Sequence, residues 1–66
     1  MNKRLVVLGA GESGVGAALL GNQLGFSVFV SDAGSVSQVF INQLDAHNIE
    51  WEGGQHSTER ILHDVK

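Results

Sequence analysis

The first apolar run, Leu5-Val6-Val7-Leu8, has no polar alternation, and it leads through Gly9-Ala10-Gly11-Glu12-Ser13-Gly14 into small and apolar residues. Such a run predicts a strand over 4–8 that is buried on both faces, and the residues beyond the glycines can continue as a helix. Val15, Ala18 and Leu19 then supply the apolar stripe of a helix over 14–24, with Gly25 placed as the left-handed residue that ends it. Gly16 and Gly21 lie inside that helix. Each costs about 1 kcal/mol of propensity relative to alanine, which predicts close packing at their faces.

Phe26-Ser27-Val28-Phe29-Val30 predicts a second strand that delivers Ser31-Asp32 to its carboxyl end. After a loop at 33–35, Val36, Val39, Phe40 and Leu44 recur at helical spacing through about His47, as core positions, and Asn48 is suited to stop this helix in the left-handed conformation. Ile49-Glu50-Trp51-Glu52 alternates apolar with acidic, the pattern of an edge strand with one face in water. Gly53-Gly54-Gln55-His56 is a turn. Ser57 and Glu59 then open a third helix carrying Ile61, Leu62 and Val65, although Arg60 stands where a full capping box would place Glu or Gln.

Strands alternating with helices predict an α/β fold: a Rossmann-like βαβαβ(α) unit with a small parallel sheet in the order 3-2-1, part of a larger doubly wound domain. At 66 residues, with no cysteine, the chain has neither disulfide staple nor Cys/His cluster to supplement a marginal core. One domain over 1–66 is therefore the most it can hold, as a piece of a larger one. No run of about eighteen apolar residues offers a membrane span, and Gly9, Gly11 and Glu12 end the first run too soon for a signal peptide. A cytoplasmic protein without a membrane partner is expected. Seven acidic and four basic residues leave a net charge of −3 with no basic patch, which argues against nucleic acid as a partner.

The candidate chemistry lies in the G-x-G-x-x-G spacing of Gly9, Gly11 and Gly14 between a strand and a helix. Gly9 permits a sharp exit from the strand, Gly11 lets a pyrophosphate approach the backbone, and Gly14 lets the helix pack close to the sheet. Unpaired N–H groups of residues 11–14 and the helix dipole would meet the anion, with the Glu12 side chain turned to solvent. Ser13 can cap the helix or donate to a phosphate oxygen, capping being the simpler role. Asp32, at the end of the second strand and about twenty residues on, has the place of a ribose-binding carboxylate; its plainer reading is a turn or capping residue. His56 lies on the loop side of the sheet, and an exposed loop histidine is its simpler reading. His47 and His63 read as solvent-facing helix residues, and no His pair has metal-ligand spacing, so no metal site is expected.

Leu5-Val6-Val7-Leu8-Gly9-Ala10-Gly11-Glu12-Ser13-Gly14, then Val28-Phe29-Val30-Ser31-Asp32, then Glu50-Trp51-Glu52-Gly53-Gly54-Gln55-His56, together resemble the amino-terminal domain of the Mur ligases of peptidoglycan synthesis, in the branch that adds D-glutamate. The resemblance spans essentially the whole chain and implies a domain that holds the UDP part of a UDP-linked substrate. By that likeness Gly9, Gly11, Glu12, Ser13 and Gly14 surround the pyrophosphate, with the N–H groups of Glu12, Ser13 and Gly14 touching it, and Asp32, Ala33 and Gly34 meet the uracil end. Ala33 and Gly34 bring only backbone where some members carry larger polar or basic residues. The resemblance also implies ATP and magnesium for the parent enzyme, yet this chain has no G-x-x-x-x-G-K-[ST] loop and no catalytic residue is expected in it.

An alternative from another class is the NAD-binding half of a dehydrogenase, or an NAD-sensing module, in which Asp32 would take the adenosine ribose. A remnant without ligand affinity is the third reading. If strand 4–8 is central in a parent sheet, ending at Lys66 leaves its outer edge unpaired, and cover by self-association or by a rearranged carboxyl-terminal segment is expected.

Overall fold

In a computed structural model, which describes residues 3–62, the chain forms β1 (Arg4–Leu8), α1 (Glu12–Gln23), β2 (Ser27–Asp32), α2 (Gln38–Ala46), β3 (Glu50–Gly53) and α3 (Thr58–Ile61). The strands form one parallel sheet in the order β1-β2-β3, the expected order read from the other edge. Val7 pairs with Val30, and Ser31 pairs with both Leu8 and Glu52. This is the Rossmann-like α/β unit the pattern predicted.

Parallel strands alternate their side chains between two faces, and here the two faces differ. Val28 and Val30 join Val15, Ala18, Leu44 and Ile49 in the core beneath α1 and α2, with Leu5, Val7, Leu19, Phe40 and Trp51 packed at its margin. The other face carries Arg4, Phe29, Ser31 and Glu52. Phe29 is buried there under two guanidinium groups, Arg4 at 5.5 Å and Arg60 at 4.5 Å from the ring centre. Arg4 is tied across to α3 by donating to the Arg60 carbonyl at 2.8 Å.

Both long helices end as their residues predict. Gly25 takes φ +91° after α1, with its N–H on the Asn22 carbonyl and the Phe26 N–H on the Gly21 carbonyl. Asn48 takes φ +57° after α2, and Asn48 and Ile49 donate to the Asp45 and Leu44 carbonyls in the same paired arrangement. A Cβ at Gly21 would overlap Leu5 Cδ2, so the tip of that side chain would have to shift, and would touch Val28 Cγ2 at 3.4 Å.

Five expectations need correction. β1 is half-buried rather than central and enclosed, because among the described strands it pairs only with β2; β2 is the buried strand. α1 begins at Glu12, two residues early, with Gly11 as its cap residue. Gly16 has open space where a Cβ would stand, so no packing requires it. Val39 is 63% exposed, since α2 begins only at Gln38 and the helix turns that position outward. Glu52 is buried, not wet. Of the third helix, Ser57 is the cap residue as expected, whereas Val65 and His63 lie outside the described residues.

Candidate functional site

The glycine loop joins β1 to α1 at the carboxyl edge of the sheet. Gly9 leaves β1 with φ +109°, a conformation that strains any side chain, and its N–H donates to the Ser31 carbonyl at 2.7 Å, fastening the loop to β2. Gly14 packs so closely over the turn that a Cβ would overlap the Gly9 carbonyl oxygen and stand 3.4 Å from Val7 Cγ1. Gly9 and Gly14 are therefore explained by the fold. Gly11 is not. It has φ −81°, open to any residue, and no atom lies within 4 Å of where its Cβ would be.

The start of α1 is left open. No side chain caps it, and Ser13, expected to do so, lies inside the first turn. The helix places Glu12, Ser13 and Gly14 at positions whose N–H groups have no partner four residues back. Glu12 and Ser13 are exposed, so the start of α1 lies at the surface rather than in the core.

Asp32 is the loop's fastening. Its Oδ2 accepts from the Ala10 N–H at 2.6 Å and its Oδ1 from the Gly34 N–H at 2.8 Å, the second an Asx turn closing on the residue two ahead. The Ala10 bond, then the Gly34 bond, hold its carboxyl below the ordinary carboxylate value, and the nearby His56 acts in the same direction. Asp32 thus meets the glycine loop at the carboxyl edge of the sheet, with Ala33 and Gly34 following it in the chain. Each carboxylate oxygen can accept more than the one hydrogen bond it makes here, so bracing the loop and accepting from a ligand are compatible roles.

A polar cluster that the alternation pattern concealed lies beside them. Ser31, fully buried, donates to Glu52 Oε2 at 2.8 Å and lies 2.7 Å from His56 Nδ1. The Ser57 N–H donates to the same Glu52 oxygen at 2.6 Å. That backbone bond, ahead of the Ser31 hydroxyl, holds the Glu52 carboxyl below its ordinary value against the effect of burial. Among the described residues Glu52 Oε1 has no hydrogen-bond partner; the Arg60 guanidinium stands 3.9 Å away. Only the register of β2 on β3, Ser31 beside Glu52, brings these groups together, and no spacing in the sequence signals it.

A concavity of about 370 Å³ lies elsewhere, lined by Arg4, Phe29, Glu50, Glu59 and Arg60. It gathers two cations and two anions near the starts of β1 and β3, away from the edge where open α/β sheets bind ligands. Among the described residues no group of three or more His, Cys, Asp or Glu could hold a metal, and no helix is long and apolar enough to cross a membrane.

The geometry therefore defines a Rossmann-like unit with a glycine loop open at a helix start. Over nearly all its length the chain is similar to enzymes named UDP-N-acetylmuramoylalanine–D-glutamate ligase. It is 53% identical over 60 residues to that of Bacteroides fragilis and 52% over 60 to that of Bacteroides thetaiotaomicron, each match covering 91% of this chain and 14% of the ligase. With that of Cytophaga hutchinsonii it shares 48% over 62 residues, 94% of this chain and again 14% of the ligase. The resemblance read from the residues is borne out, and the chain spans about a seventh of the length of the curated relatives it matches. No protein-family model matches the chain, and no solved structure does.

Proposed function

We propose that residues 1–66 are the amino-terminal, uridine-nucleotide-binding domain of a cytoplasmic, ATP-dependent ligase that joins D-glutamate to UDP-N-acetylmuramoyl-L-alanine in peptidoglycan synthesis. Gly11 carries the proposal: its side-chain space is empty although neither backbone angle nor packing asks for glycine, as befits a position where a pyrophosphate approaches the chain. The open N–H groups of Glu12, Ser13 and Gly14, with the positive end of the α1 dipole, favour a diphosphate there without any lysine or arginine. Asp32, braced by Ala10, presents its remaining lone pairs to the ribose or uracil, beside the backbone of Ala33 and Gly34.

On this reading the domain binds and orients, and the chemistry belongs to other parts of the ligase. ATP and magnesium supply acyl activation to the parent enzyme; no residue of this chain fits them, for it has no P-loop lysine. The domain by itself is inactive. An amide-resolved NMR titration with UDP, UMP and NADH in parallel tests the reading. Shifts at residues 11–14 and 32–34 with UDP, weaker with UMP and absent with NADH, are expected; preference for NADH would transfer the domain to the dehydrogenase class.

A further inference from the structure

Ser31 has one hydroxyl proton and several acceptors around it. A carboxylate is the strongest of these, and Glu52 Oε2 at 2.8 Å takes that proton. The 2.7 Å contact between Ser31 Oγ and His56 Nδ1 must then run the other way, with Nδ1–H donating to the serine oxygen. The neutral ring is thereby held as the Nδ1–H tautomer, and its Nε2 carries the free lone pair. His56 is an exposed residue in the loop after β3. That loop is pinned to the end of β2 by the Gln55 N–H on the Asp32 carbonyl at 3.3 Å and by the Gly54 N–H on the Gly34 carbonyl at 2.8 Å. The imidazole is therefore held at the carboxyl edge of the sheet, near enough to Asp32 to act on its charge.

We propose that His56 is a ligand-binding residue of the nucleotide site, its Nε2 accepting a hydrogen bond from an N–H or O–H donor of the nucleoside, with Ser31 and Glu52 as positioning residues that fix its tautomer. This rests on the uridine-nucleotide reading. The donors available on a uridine nucleotide are the ribose hydroxyls and the imide N–H of the base. The charged groups that feel the ring are Asp32 at the end of β2 and Glu52 on β3.

Calorimetric titration of the chain with UDP, with uridine and with inorganic pyrophosphate tests the assignment in wild type, His56→Ala, His56→Gln and Ser31→Ala, with a thermal melt of each variant. H56A should weaken UDP and uridine by about three- to tenfold, the worth of one hydrogen bond, and leave pyrophosphate unchanged. H56Q, whose side-chain oxygen is an acceptor, should restore most of the affinity. S31A should lower nucleoside affinity in the same direction as H56A. Equal UDP binding by wild type and H56A in folded proteins would overturn the role of His56 alone; failure of the wild type to bind UDP would overturn it together with the functional reading.

Discussion

Replacing Gly11 by alanine separates a glycine kept for a ligand from one kept for the fold. The backbone at Gly11, φ −81° and ψ −170°, suits alanine, and the added methyl meets nothing within 4 Å. Two small terms bear on stability. Alanine is a poorer helix cap than glycine by roughly 0.5 kcal/mol, and it stiffens the unfolded chain, which returns about 0.4–1 kcal/mol. The net change is within about 1 kcal/mol, a melting shift of no more than about 4–8 °C for a domain of this size. A methyl crowding the diphosphate costs about 1–3 kcal/mol by the usual scale of overpacking, or roughly ten- to a hundredfold in UDP affinity. Gly14→Ala is the contrast: its methyl collides with the Gly9 carbonyl, so it should lower the melting temperature by at least about 4–8 °C for each kcal/mol of backbone displacement. Thermal denaturation and calorimetric titration with UDP read both variants. If G11A binds UDP as wild type does, or unfolds as easily as G14A, the account of Gly11 is wrong.

Gly16 sits in the exposed interior of α1 with open space at its Cβ, so Gly16→Ala should stabilise the chain by about 1 kcal/mol and raise its melting temperature by several degrees. An unchanged or lowered melting temperature would mean that the space is used. Glu52 and Asp32 are both held below their ordinary carboxylate values, so the stability they contribute is fully present above those values, 4.5 and 3.8, and is lost as pH falls through the depressed ones. Denaturant unfolding should accordingly show stability falling with acid below about pH 4.5, and Glu52→Gln should be less stable at neutral pH with a shallower acid slope. An identical slope in the variant would remove Glu52 from the cause.

Much of this molecule is decided locally, and the sequence alone determined those parts. Helix ends at Gly25 and Asn48 follow from which residues tolerate left-handed backbone. Strand and helix types follow from the period of apolar positions, and the glycine loop and Asp32 follow from a spacing that folds within some two dozen residues. Only the tertiary structure decided which residues face each other across the sheet. Glu50 and Glu52 look alike in the sequence, yet one is wet and the other buried, because the register sets Glu52 against Ser31 and the turn brings back His56 and the Ser57 N–H. It also divided the glycines: a Cβ at Gly14 would meet the Gly9 carbonyl and one at Gly21 the Leu5 side chain, whereas Gly16 and Gly11 face open space. Periodicity reports which way a side chain points relative to its own backbone; what it meets there is set by strand pairing and helix packing, and that is a property of the whole fold.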